Sequence, residues 1–188
     1  MNISEEKTLL RKELLKIRGK IADKREKSFA ITNIFIDSDL YKNAESIMLF
    51  YPLADEVNTL FLFERLLKDE KTVLFPKTDK ASHTIIPEVY EGYGFKQGAY
   101  GIYEPLFGKK YEKENIDAVI VPALSVDRDK YRLGYGGGYY DRFLEDFRGV
   151  KITLIFSELL SVRLPRGKFD IKTDNVITEK GFFSSEGR

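Results

Sequence analysis

ESIMLFYPLADEVNTLFLFERLLKDEKTVLFP, residues 45–76, opens on seven residues of which only Glu45 and Ser46 are strongly polar. That run is ended by Pro52, and its length and apolar content are those of a buried strand. Residues 58–69 then repeat apolar side chains at helical spacing, which predicts a helix with Leu60, Phe61, Phe63, Leu66 and Leu67 inward. Residues 72–75 form a second apolar run, again stopped by proline, Pro76. A strand, a helix and a strand in this order make a parallel crossover unit.

The same alternation continues outward. Residues 117–121 read as a third buried strand stopped by Pro122, residues 139–147 as a helix, and residues 152–156 as a fourth strand, with a short last one at 176–178. Residues 83–90 read as a strand interrupted by Pro87, which suits a sheet edge. Between them, residues 91–110 carry five glycines and Pro105 and read as a long ordered loop. Upstream, Ser4 followed by Glu5 and Glu6 has the form of a helix N-cap with acids in the first turn. Leu10, Leu14, Ile17 and Ile21 continue as one apolar stripe; Lys7 and Arg11, four apart, share a face. A second helix carries Phe29, Ile31, Ile34, Phe35 and Ile36. The expectation is one α/β domain over residues 1–188 with a mostly parallel sheet covered on both faces, and a frayed tail at 184–188.

Composition narrows the function. With 43% hydrophobic residues, 11 Tyr and 14 Phe, a chain of 188 residues can bury a core without a disulfide or metal staple. It has no cysteine, which removes thiol catalysis and cysteine-type zinc sites. The balance of 31 basic and 30 acidic residues argues against a general nucleic-acid binder. Neither a signal-peptide pattern nor a membrane-length apolar run is present, so a soluble, cytoplasmic protein is expected.

RLGYGGGYYDR, residues 132–142, is the most informative segment for chemistry. Gly134, Gly136, Gly137 and Gly138 precede a predicted helix, so backbone N–H groups can face a ligand without side chains in the way. Arg132 could add a two-pronged contact to phosphate. Asp141, just beyond the loop, stands where magnesium riding on phosphates needs an oxygen, or simply compensates the helix dipole. The segment lacks the Gly-Lys-Ser/Thr of a Walker A loop, and residues 124–131 separate it from the preceding strand, unlike a dinucleotide fingerprint. Asp170 and Asp174 could be metal ligands or loop acids. His83, the sole histidine, reads as structural.

Together these segments resemble the 5-formyltetrahydrofolate cyclo-ligase family. The resemblance rests on KTLLR at 7–11, YPLADEV at 51–57, YGIYEP at 100–105, the 132–142 string, and LP followed by DIKTD between 164 and 174. It implies a three-layer α/β/α fold, ATP with magnesium, and a reduced folate substrate. By position it implies that Lys7 and Arg11 bind phosphate. Arg132, Leu133, Gly134, Tyr135, Gly136, Gly137, Gly138, Tyr139 and Tyr140 match its nucleotide segment, in which Tyr135 to Tyr139 also meet folate. Tyr51 and Glu56 match folate contacts, and Asp141 and Asp170 match magnesium ligands. Arg132, Tyr139 and Asp141 are the expected catalytic residues. A carboxylate such as Glu56 can accept from adjacent pterin N–H groups, and Tyr51, Tyr100, Tyr103 and Tyr139 can pack on a flat ring. Lys109, Lys110 and Lys113 are candidates for a polyglutamate tail. Two departures stand out: Lys130 where relatives often have Gly, and Phe169 where many have His. A monomer acting on small molecules is expected; a different phosphotransferase or a non-catalytic folate binder are the alternatives.

Overall fold

The computed structural model describes residues 2–98 and 101–184, so Tyr100 and most of the expected tail lie outside the described residues. At the centre are five parallel strands: β1 (Ser46–Met48), β2 (Thr72–Asp79), β7 (Ala118–Ile120), β10 (Val150–Leu154) and β12 (Asn175–Thr178). The antiparallel strands β3 (Thr84–Tyr90), β6 (Gly108–Lys110) and β13 (Gly181–Phe182) complete an eight-stranded sheet. Its order is β13-β12-β10-β7-β1-β2-β3-β6. From β1 the chain winds one way to β2 and the other way to β7, which leaves a crevice at the carboxyl ends of β1 and β7.

Alternation along the strands separates two layers of helices. Ile47, Val73, Phe75, Ala118, Ile120 and Ile152 pack on one face with Ile31 and Phe35 of α2 (Lys24–Asp37) and with Leu62 and Leu66 of α4 (Leu60–Lys68). Their neighbours Met48, Leu74, Val119 and Val121 turn to the other face, against Phe143 and Leu144 of α5 (Tyr139–Leu144). This is the period of two expected of strands covered on both sides. The α1 helix (Ile3–Lys20) and the short α3 (Asp39–Asn43) join the first layer through Leu14 and Tyr41. Expected and observed fold class agree.

Several local expectations give way. The N-cap of α1 is Asn2, not Ser4: Asn2 Oδ1 accepts from Glu5 N at 2.9 Å, and Glu5 Oε2 from Asn2 N at 3.1 Å. This reciprocal box satisfies two helix-end donors, where Ser4 offers a single side-chain acceptor. In α4, Thr59 anchors the entry by donating to the Phe50 carbonyl at 2.7 Å, so Leu62 and Leu66 face inward and Leu67 lies on the flank, 44% exposed. The strand around Pro87 is not an edge. Pro76 and Pro87 stand opposite each other, so neither withholds a donor from an otherwise complete ladder, and β6 pairs beyond. Residues 91–110 contain a hairpin, β4 (Phe95–Gln97) with β5 (Tyr103–Pro105), rather than only a loop. A small second sheet, β11 (Leu160–Ser161), β8 (Ser125–Asp127) and β9 (Arg132–Leu133), leads into the glycine segment.

Candidate active site

A cavity of about 590 Å³ lies at the carboxyl ends of the central strands. Phe50 and Tyr51 enter it from the end of β1, Pro76 and Thr78 from β2, and Pro122 from the end of β7. The residues that the family resemblance implied for phosphate, folate, metal and catalysis line this cavity, from Lys7 and Arg11 through Tyr51, Glu56 and Arg132–Asp141 to Asp170, whereas Tyr103, a further candidate for the ring, is not part of its lining. His83, Asp174 and Lys109, Lys110 and Lys113 do not. Asp174 accepts from Lys151 N at 2.8 Å and pairs with its ammonium at 3.0 Å, closing a loop instead. Lys113 pairs with Asp146.

The cationic side of the cavity is assembled by α1. Lys7 pairs with Asp170, whose carboxylate also accepts from Gly167 N at 2.6 Å. One turn later, Arg11 Nε donates to the Gly134 carbonyl at 2.8 Å. Its guanidinium lies against Gly136, where a Cβ would sit 3.2 Å from Cζ. Gly136 and Gly138 have φ of +99° and +68°, conformations that glycine adopts without a steric cost. Arg142 donates to the Gly137 carbonyl and to the His83 carbonyl, each at 2.8 Å, tying the loop to the β2–β3 turn. The six residues of α5 make its dipole a smaller contributor to anion binding than the sequence suggested.

Arg132 does not reach outward with both prongs. Its Nη1 donates to Asp141 Oδ1 at 2.8 Å and to the Ile171 carbonyl at 3.2 Å, and its side chain is almost fully buried. Asp141 Oδ1 also accepts from Ile171 N. Arg132 therefore fastens the two aspartate-bearing segments together beneath the loop. Among the described residues no group of three or more His, Cys, Asp or Glu could hold a metal alone. Magnesium needs fewer: one or two carboxylates, with phosphate oxygens and water supplying the rest. Asp141 and Asp170 on the cavity wall fit that donor set.

Glu56 defines the other side. It is 8% exposed; Tyr135 donates its hydroxyl to Oε1, and Leu53 N donates to Oε2 at 2.8 Å. Burial pushes the carboxyl pKa up, opposed in part by the Tyr135 and Leu53 hydrogen bonds and by Arg18. Burial likewise raises the Tyr135 and Tyr140 hydroxyls, with the Glu56 charge acting in the same direction. Tyr51 packs against Tyr103 and Phe95, at ring-centre distances of 4.8 and 4.9 Å. Tyr139 lies beside His83 at 5.8 Å, with the Arg142 guanidinium over its ring.

Sequence reasoning passed over Arg18. It is 5% exposed, donates from Nη1 to the Tyr135 hydroxyl oxygen at 2.5 Å, and stands 3.6 Å from Glu56 Oε1. The available signal was its position: Arg18 falls eleven residues after Lys7 and seven after Arg11, on one stripe of α1. Ile17, taken as inward, lies about 100° round the helix and is 44% exposed.

The model of the 5-formyltetrahydrofolate cyclo-ligase family matches residues 3–179. The chain belongs to that family. A 5-formyltetrahydrofolate cyclo-ligase of Mus musculus is 26% identical over 95% of this chain and 96% of its own. Among solved structures, a 5,10-methenyltetrahydrofolate synthetase of Aquifex aeolicus superposes with a TM-score of 0.84. It is 32% identical and covers 97% of this chain and 94% of that one. The Mycoplasma pneumoniae synthetase gives 0.75 at 25% identity, covering 93% and 99%. Within this cyclo-ligase fold, Lys130 keeps a left-handed turn, φ +65°, although it is not glycine. Its ammonium donates to the Asp174 carbonyl at 2.8 Å, and its own carbonyl accepts from Thr173 N at 3.0 Å, which hold the turn. Phe169, the other departure, is 75% exposed and leaves the Lys7–Asp170 pair intact.

Proposed function

We propose that this protein converts 5-formyltetrahydrofolate and ATP into 5,10-methenyltetrahydrofolate, ADP and phosphate. One observation carries the reading: a single cavity joins a buried carboxylate flanked by tyrosines to a glycine loop flanked by cations and two aspartates. The first group suits a pterin, whose edge offers adjacent N–H donors and whose ring offers a flat face. The second suits the phosphates of a nucleotide.

The formyl group on nitrogen-5 is an amide, and its oxygen leaves poorly. Transfer of the γ-phosphoryl group to that oxygen breaks the bond to the β–γ bridging oxygen, releasing ADP. The lone pair of nitrogen-10 then attacks the activated carbon. Phosphate departs with the former formyl oxygen, and the nitrogen-10 proton passes to solvent. Such transfer asks the protein for alignment and charge neutralisation more than for covalent chemistry. Lys7 and Arg11 supply positive charge at the loop, and Glu56 with Tyr135 orients the folate. Arg132 fixes Asp141, and Tyr139 closes over Gly137. Magnesium held by Asp141 and Asp170 would neutralise β- and γ-phosphate oxygens.

The test is absorbance of the methenyl product from purified protein, 5-formyltetrahydrofolate, ATP and magnesium. Product that requires both ATP and magnesium supports the proposal. Tight folate binding without turnover would leave a sequestering protein, and ATP hydrolysis indifferent to folate would leave another phosphotransferase.

A further inference from the structure

Only Leu14 and Arg18 of α1 are buried, and the chemistry above makes no use of Arg18. Lys7, Arg11, Leu14 and Arg18 follow the spacing i, i+4, i+7, i+11, so they share an arc of about 60° over roughly 16 Å of helix. The first two cations contact Asp170 and the glycine loop, whereas Arg18 meets Tyr135 and Glu56. One rigid element thus touches both halves of the cavity.

Stability alone does not account for Arg18. A buried ion pair seldom outperforms apolar packing of the same shape, because desolvation offsets the attraction. Here Arg18 Nε makes no hydrogen bond although it is buried, a further cost. What the guanidinium does provide is a directed chain: Arg18 donates to the Tyr135 oxygen, and Tyr135 donates to Glu56 Oε1. A carboxylate has about four acceptor positions. Tyr135 and Leu53 each take one, which leaves room for two donors of a pterin edge.

We infer that Arg18 is a positioning residue of the folate site, holding the Tyr135 hydroxyl and the Glu56 carboxylate in one arrangement and keeping Glu56 an acceptor. The inference rests on the folate reading. The titratable and charged groups that face Glu56 are Arg18 from α1, Tyr135 from the glycine loop and Tyr140 from α5, with Arg132 behind Tyr140. Removing Arg18 therefore removes the cation that directly adjoins the carboxylate.

The experiment compares full-length wild type, Arg18→Met and Arg18→Lys. Folate and ATP affinities are measured separately by equilibrium dialysis, and kcat/KM for folate is followed against pH. Arg18→Met is expected to weaken folate binding about tenfold or more while ATP binding changes less than about threefold. Its acid limb should move to higher pH, and Arg18→Lys, which keeps the charge, should return the limb to its wild-type position. Equal weakening for both ligands with an unmoved limb would mean a merely structural arginine and overturn the inference. Should Arg18→Met fail to fold, Arg18→Lys decides. Weaker folate binding at unchanged ATP affinity supports the role of the fork, and loss for both ligands or for neither refutes it. Wild type that binds folate without turnover removes the cyclo-ligase reading and leaves the dialysis comparison valid; wild type that binds no folate overturns both.

Discussion

Glu56 gives the folate side of the cavity a pH signature. Its pKa is raised above the ordinary 4.5, chiefly by burial, so between those two values the folded chain holds a proton that the unfolded chain has lost. The contribution of Glu56 to stability is therefore present below 4.5 and falls as pH rises through the folded value. Function runs the opposite way, because only the carboxylate can accept from two pterin donors. Folate kcat/KM should decline as pH drops through the raised value, at a higher pH than an exposed glutamate would give. Glu56→Gln should flatten that limb and lower kcat/KM roughly 10- to 100-fold, the worth of one charged hydrogen bond. A limb that survives in the Gln variant would assign it elsewhere. Arg18 shows why part of this site was hard to read beforehand. An arginine on an apolar stripe looks like a solvated neighbour until the loop it meets, more than a hundred residues later in the chain, is in place.

At the scale of elements, the five parallel strands were legible as short apolar runs, with Pro52 and Pro122 following β1 and β7, although β2 runs on through Pro76 to Asp79. Two-residue strands such as β9, β11 and β13 carry no periodicity, and their pairing depends on partners far along the chain. The position of β6 was hidden for a different reason. Gly108 lets it approach β3, where a Cβ would stand 2.8 Å from Glu88 Cβ, and such closeness is invisible in composition. The glycine loop was legible as a cradle, and its individual glycines are not equivalent. Gly138 has φ +68°, and a Cβ there would meet Arg142 Nη1 at 2.7 Å, whereas Gly134 has nothing within 4 Å. Gly138→Ala should cost about 1–2 kcal/mol of stability from the left-handed backbone, roughly 2–8 °C in Tm for a chain of this length. It should also raise KM for ATP more than for folate, since Arg142 holds the loop through the Gly137 carbonyl. Gly134→Ala should leave Tm within about 1 °C, because neither φ nor space opposes it. Equal Tm losses in the two variants would contradict this distinction.

For the whole molecule, the cavity draws walls from α1, the ends of three central strands, the glycine segment and the loop bearing Asp170. Ligands that bind across such a crevice bind the folded chain only, so they stabilise it by mass action. At one hundred times Kd the gain is about 2.7 kcal/mol, which for a chain of this size corresponds to roughly 5–11 °C in Tm. The two ligands should differ in their response to a chelator. If magnesium reaches Asp141 and Asp170 together with phosphate, the shift produced by ATP should require the ion. Without it, the two carboxylates face the phosphates with only Lys7, Arg11 and Arg132 to offset them, and EDTA should abolish most of the ATP shift. The folate shift, anchored at Glu56 and Tyr135, should persist in EDTA. Scanning calorimetry with each ligand alone, with and without chelator, measures all four values. An ATP shift indifferent to EDTA would remove the metal from the two aspartates and leave them as partners of Lys7 and Arg132 alone.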